Sequence, residues 1–303
     1  MSPQKTLTAR AWAELFLLAT IWGASFLSIR IALDEVPVAW TVAHRVGWAA
    51  AILWTVARLR RLPLPRSPRL WGACLVMGLL NNVIPFSLMA WGQLHIETGL
   101  TSILNAATAI FGVIVATIAF ADERLTARRA AGVGLGFAGV ATAIGPRALA
   151  ELDLRSLGQL AVLAGALSYA CAGAWARRTL SGLPPVSAAA GMLTASALVM
   201  IPAAWVHDGP PDLALAPRTW AAIGYYTVAA TALAYLLYYR VLAMAGAGNL
   251  LLCTLLIPPI AILLGALFLG EALPPRAFAG FALLALGLLT LDGRLFRRRP
   301  RPA

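Results

Sequence analysis

The chain has 303 residues, 60% of them hydrophobic and 12% charged, with a mean hydropathy of +0.80 and a formal net charge of +12. Charged residues alone make up about a quarter of an ordinary soluble domain, so this composition excludes a soluble globular protein and reads as an integral membrane protein. The 24 basic residues gather mostly in short connections between apolar runs, which is a topological signal and argues against a nucleic-acid binder.

A hydrocarbon core about 30 Å thick needs about 20 apolar residues per helical crossing. Runs of that length recur throughout the chain without two-residue alternation, so the spans are expected to be helices and not barrel strands. In order they cover 11–33, 37–57, 70–94, 98–120, 128–147, 157–178, 184–206, 218–242, 247–269 and 275–292. The predicted fold is an all-α polytopic membrane protein of ten transmembrane helices. The first run is too long for a signal-peptide core and lacks a small-residue cleavage site, so it is expected to remain as the first span. Cys74, Cys171 and Cys253 each lie inside an apolar run and read as small packing residues, with no disulfide or metal site expected.

Basic residues cluster on alternate connections. Lys5 and Arg10 precede span one, Arg58, Arg60, Arg61, Arg66 and Arg69 follow span two, and Arg124, Arg128 and Arg129 follow span four. Arg177, Arg178 and Arg240 close spans six and eight, and Arg294, Arg297, Arg298, Arg299 and Arg301 follow span ten. The other side keeps Arg147, Arg155, Arg218 and Arg276 among several acids. Both termini are therefore predicted to be cytoplasmic. The Arg-rich, Lys-poor usage points to a bacterial inner membrane.

The chain also repeats itself. Sliding 110–144 by 148 positions places Glu123 on Glu271, Leu125 on Leu273, Arg128 on Arg276, Gly132 on Gly280 and Gly139 on Gly287. An offset of 147 places Arg30 on Arg177 and Pro37 on Pro184 near the start of each half. Residues 1–147 and 148–303 thus read as two copies of one unit. Five spans per copy is an odd number, so the second copy is expected to be inverted in the membrane, an arrangement that lets a central site open alternately to either side.

Polar groups inside spans are costly and hence candidates. Arg30 is expected to snorkel or to pair with Asp34 or Glu35, whereas Arg45 leaves structural pairing and substrate contact equally open. Glu14 lies near a helix N-terminus and reads as structural. No buried chain of acids is evident, so the reading is facilitated transport or exchange. Proton coupling through His44 is the alternative, since histidine titrates near pH 6.5. Mid-span aromatic and amide side chains supply the expected substrate contacts: Trp22, His44, Asn82, Trp91, Asn105, Tyr169, Tyr235 and Tyr239. Gating or structural roles fall to Phe26, Arg30, Arg45, Glu123, Glu271, Pro258 and Pro259, with the two prolines expected to break span nine near mid-membrane. The glycine pattern at Gly134, Gly136 and Gly139 is not a dinucleotide loop, because it sits in an apolar span with no strand before it. Those glycines suit close helix packing instead, within one chain or between protomers.

The segment WGASFLSIRIAL from Trp22 to Leu33, followed by Pro37 and Arg45, resembles the opening of the EamA family of the drug/metabolite transporter superfamily. The segments ADERLTARRAAGVGLGFAGV and LGEALPPRAFAGFALLALGL resemble the ends of that family's two repeats. The resemblance implies ten helices in two inverted repeats and export of small metabolites, often amino acids, with the aromatic amino-acid exporters the most similar group. Ser25 stands where the family often has Asn, and span four lacks a proline to match Pro258. The expected partners are a small-molecule substrate and the lipid bilayer, with no nucleic acid, cofactor or metal, and the chain is taken as a monomer. A membrane-embedded enzyme is the rival reading. The few convergent acids, bases or metal ligands argue against it.

Overall fold

The computed structural model describes residues 8–121, 123, 126–145, 154–180, 182–245 and 252–292. The first residues of predicted span nine, together with Lys5, Arg124, Leu125, Arg147, Glu151, Asp153 and the basic run from Arg294 to Arg301, lie outside the described residues. Within them the secondary structure is helical, and consecutive segments that run on without a loop make ten rods. These are α1 (Ala9–Ala32), α2 (Val38–Leu59), α3 (Pro68–Gly92), α4 (Thr98–Ala119) and α5 (Ala127–Ile144) in the first half. The second half gives α6 (Leu154–Thr179), α7 (Pro185–Asp208), α8 (217–245), α9 (Leu252–Leu269) and α10 (Pro275–Asp292). Six of them are long and apolar enough to cross a membrane, namely α1, α3, α4, α6, α7 and α8, and shorter apolar helices follow at Cys253–Leu269 and Pro275–Leu291.

Local chemistry fixes the ends. The Thr8, Ser67 and Thr126 hydroxyls accept from the first-turn amides of α1, α3 and α5, satisfying groups the helix itself leaves orphaned. Prolines occupy the first turn of α3, α7, α8 and α10, where a missing N–H costs nothing. Gly145 and Gly209 end α5 and α7 at φ of 84° and 77°, a conformation that favours glycine. Large apolar side chains face outward, Ile118, Leu198, Leu267 and Phe268 being more than two-thirds exposed. In water such a belt would be an association hazard; against lipid tails it is the solvated surface.

The helices pair in a pattern that survives exchanging the halves. α2 packs along α7 and α5 along α10, while α1 against α9 mirrors α6 against α4, and α1 against α8 mirrors α6 against α3. The α5–α10 seam is built on glycine. A Cβ on Gly139 would meet the Leu284 amide nitrogen at 2.5 Å and the Gly280 carbonyl oxygen at 2.7 Å, and one on Gly287 would meet the Gly132 carbonyl oxygen at 2.7 Å. Gly132 therefore faces Gly287 and Gly139 faces Gly280, so the helices run antiparallel and each glycine meets the counterpart of the other. The α2–α7 pair repeats this crossing: Trp54 Nε1 donates to Thr194 Oγ1 at 2.7 Å, and Gly47 sits against Ile201.

Two features depart from the expectation. α9 runs as one continuous helix through Pro258 and Pro259. Proline's fixed φ is helical, so the rod continues even where two amide donors are missing. The interruption falls instead in α4, at Ala106–Ala107 between the segments Thr98–Asn105 and Thr108–Ala119, with no proline involved. Also unanticipated are π-helical stretches at Leu79–Val83 in α3 and Tyr225–Leu233 in α8. An offset of 147 carries the first onto the second. Such widened turns release backbone carbonyls and often mark functional sites.

Candidate functional site

Each π-helical stretch has a carbonyl taken by a side chain from the first helix of a half. Ser168 Oγ of α6 donates to the Leu80 carbonyl at 2.7 Å, and Trp22 Nε1 of α1 donates to the Ala230 carbonyl at 3.2 Å. Trp22 and Tyr169, the latter next to Ser168, are repeat counterparts. Two predicted substrate contacts thus stand at equivalent places in the two halves.

Arg45 of α2 reaches both neighbourhoods, through Thr231, next to Ala230, and through Phe86, which meets Tyr169. Its guanidinium carbon sits 3.8 Å from the centroid of the Phe86 ring, and its Nε donates to Thr231 Oγ1 at 3.0 Å. Thr231 in turn donates to the Tyr226 carbonyl at 2.7 Å, inside the π stretch of α8. Tyr169 meets Phe86 edge-on with centroids 6.4 Å apart, and Tyr169, Tyr226 and Tyr235 all lie close enough to Arg45 to feel its charge. Asn81 Nδ2 donates to the Tyr235 hydroxyl at 3.0 Å. Among the described residues no carboxylate pairs with Arg45, and its terminal guanidinium nitrogens have no hydrogen-bond partner there. Arg45 is only partly buried among these groups.

The energetics of that placement are lopsided. A ring face returns about 0.5–2 kcal/mol and one hydrogen bond from a charged group about 1.5–3 kcal/mol. Taking an ion out of water costs several kcal/mol even after relaxation. One ring and one hydroxyl leave the guanidinium with most of its donors unspent, and hence suited to an anion or to water.

The remaining predicted residues fall elsewhere. Asn82 has no accessible surface and donates to Ser196 Oγ at 2.9 Å, tying α3 to α7. His44 lies between Trp40 and Trp220, ring centroids 5.7 and 6.3 Å away, towards the end of the bundle where Trp40 reaches the Gly209 carbonyl. Trp91 stacks edge-on against His95 at 4.6 Å near the end of α3. Asn105 ends the first segment of α4, and its Oδ1 is buried with no partner among the described residues. Tyr239 packs edge-on against Tyr238 at 5.2 Å and borders a separate groove of about 410 Å³ with Arg60, Pro185, Val186, Leu233 and Arg240. Phe26 is buried, and its carbonyl accepts from Gln93 Nε2 at 3.0 Å.

Charges at the two ends hold helices together. At one end Arg30 pairs with Asp34 at 2.7 Å, Asp34 also reaches Arg218, and Glu97 pairs with Arg155 at 2.8 Å. Glu271 accepts from the Thr98 amide at 2.9 Å and the Thr98 hydroxyl at 2.7 Å, so it caps α4 from the α9–α10 loop. At the other end its counterpart Glu123 pairs with Arg129 at 2.8 Å and Arg177 at 3.4 Å. Glu14 does more there than sit at a helix start: its buried carboxylate bridges Arg10 and Arg240, joining α1 to α8. Neither the Arg45–Phe86 stack nor the Glu14–Arg240 bridge was legible beforehand, since each joins residues far apart in sequence.

The family model for EamA-like transporters matches this chain twice, over residues 11–145 and again over 156–291. The chain belongs to the EamA-like transporter family. It is a multi-pass helical membrane protein of the drug/metabolite transporter superfamily, and the two matches make it a duplicated one. A protein of Streptantibioticus cattleyicolor named probable terminal-alkyne amino-acid exporter is 28% identical over 299 residues, covering 97% of this chain and 96% of the relative. A probable amino-acid metabolite efflux pump of Escherichia coli is 25% identical over 281 residues, covering 90% and 91%. Protein PagO of Salmonella typhimurium is 24% identical over 284 residues, covering 92% of each. One crystal structure shares the fold at a TM-score of 0.69 and 18% identity, covering 96% of this chain and 99% of that one. This EamA chain therefore has relatives named as exporters along its whole length.

Proposed function

We propose that this chain is a ten-span inner-membrane exporter that moves small metabolites, amino acids above all, aromatic or other neutral ones, by alternating access. The observation that carries the reading is the Arg45, Phe86, Tyr169, Asn81 and Tyr235 cluster, drawn from α2, α3, α6 and α8 where the two repeats meet. A cation beside aromatic faces and amide or hydroxyl groups matches the parts of such a substrate.

Residues 1–147 and 148–303 are the two halves of the carrier, inverted with respect to each other, with both termini cytoplasmic. The antiparallel glycine register of α5 and α10 supports inversion, because a two-fold that swaps equivalent antiparallel helices lies across them, in the membrane plane. The arginines of the end that holds Glu14 and Glu123 support the orientation. The carrier is a monomer, carries out no catalysis, and works as a uniporter or exchanger.

Counterflow in proteoliposomes tests this. With unlabelled amino acids inside, labelled tryptophan, phenylalanine, threonine or methionine should enter, and a protonophore should not stop it. Entry abolished by the protonophore would replace exchange by proton coupling, and no entry of any of them would remove the amino-acid assignment.

A further inference from the structure

We propose that Arg45, stacked on Phe86 beside Tyr169 and Tyr235, anchors the carboxylate of a monocarboxylic substrate that carries a flat, apolar side chain. The inference rests on the transport reading for its setting and names the chemistry that its central site selects.

Two observations converge on a carboxylate. The guanidinium is held at one face by Phe86 and at Nε by Thr231, so its rim of terminal N–H groups stays unengaged among the described residues. A carboxylate presents two oxygens at the spacing of that fork, and the paired charge-assisted bonds are among the strongest a side chain makes. The groups around it, Thr231, Asn81, Tyr169, Tyr226 and Tyr235, are neutral, and a single guanidinium balances one negative charge. A phosphate, carrying about two, would call for a second cation.

The rest of the surroundings select what the carboxylate is attached to. Phe86 and Tyr169 meet edge-on 6.4 Å apart next to the guanidinium, and Tyr235 is oriented by Asn81. Such a wall favours planar, unsaturated or aromatic groups and offers hydroxyls to a neighbouring amine or hydroxyl. The α-substituent can therefore vary, whereas the carboxylate cannot.

The test measures protection of the purified full chain against thermal unfolding by two matched pairs: tryptophan with tryptophanamide, and indole-3-lactate with its amide. In the wild type each acid should protect at concentrations lower than its amide by about 10-fold or more, the worth of a lost charge-assisted contact. Arg45→Gln should erase that preference. Arg45→Lys, which keeps the charge but not the fork or the stack, should keep only part of it. The wild-type comparison stands even if Arg45→Gln does not fold. Equal effects of acid and amide on the wild type, none included, overturn the proposal, as does a folded Arg45→Gln that still prefers the acid. Failure of the amino-acid reading looks different, since indole-3-lactate would protect while counterflow of every amino acid stayed absent.

Discussion

Replacing Gly139 by Ala adds one methyl group to α5, and the seam with α10 has no room for it. The new carbon would lie 2.5 Å from the Leu284 nitrogen, 2.7 Å from the Gly280 oxygen and 3.0 Å from the Leu284 Cα, all of them backbone. No rotamer change relieves such contacts. The helices must part by about 0.9 Å to reach the 3.4 Å of ordinary packing, and overpacking of this kind costs about 1–3 kcal/mol. Five residues earlier on the same helix, Gly134 has nothing within 4 Å of the same imagined carbon. There Gly134→Ala should stabilise by about 0.5–1 kcal/mol through helix propensity alone. The two substitutions are chemically identical and opposite in expected sign. Apparent melting temperatures in detergent, followed by tryptophan fluorescence, should place Gly139→Ala below the wild type and Gly134→Ala at or above it. A Gly139→Ala protein that melts no lower than Gly134→Ala would refute the antiparallel α5–α10 register.

The capping of α4 makes Glu271→Ala cost about 1–2 kcal/mol, whereas Glu123→Ala, losing partly exposed ion pairs, should cost about 0–1 kcal/mol; melting of the two variants checks the order. Trp54→Phe removes the 2.7 Å bond to Thr194 and should lower stability by about 1 kcal/mol, with little further loss when Thr194→Val is added, a double-mutant cycle that reports the α2–α7 contact. Trp22→Ala should fold and yet slow counterflow, and normal transport would show that its ring does not line the substrate's route, whereas Tyr239→Ala, which alters a separate groove, should leave counterflow nearly unchanged.

Helix positions were readable in the sequence because hydrophobic length alone fixes them. Each predicted span that can be compared matches a helix to within a few residues, as with 98–120 against Thr98–Ala119. The duplication was readable too: residues matched by the 148-residue offset, Gly132 with Gly280 and Gly139 with Gly287, meet crosswise at one seam. Proline and alanine misled, however. Pro258 and Pro259 lie within a continuous α9, and the interruption occurs at Ala106–Ala107, whose small side chains carry no breaking signal.

The site was readable only as an inventory. Asn81 and Asn82 are neighbours of the same type, but the π-helical turn sends one to Tyr235 and buries the other on Ser196. Arg45 was marked by its cost in an apolar run. That it rests on Phe86 and not on an acid depends on the packing of α2 against α3 and α8. Thr231 carried no signal, being one more small residue in an apolar helix. The available clue was the cluster of Tyr226, Thr227 and Thr231, polar groups concentrated within two turns of a span.

If the chain works by alternating access, the surroundings of Arg45 open to both sides of the membrane in turn. Asn81→Cys, placed in a chain whose Cys74, Cys171 and Cys253 are replaced by alanine, puts a single thiol beside Tyr235. Its labelling by a membrane-impermeant maleimide is measured in vesicles of known orientation, from each side separately, with and without substrate. Alternating access predicts labelling from both sides and protection by substrate on both. Labelling confined to one side, or absent from both in folded protein, would contradict it.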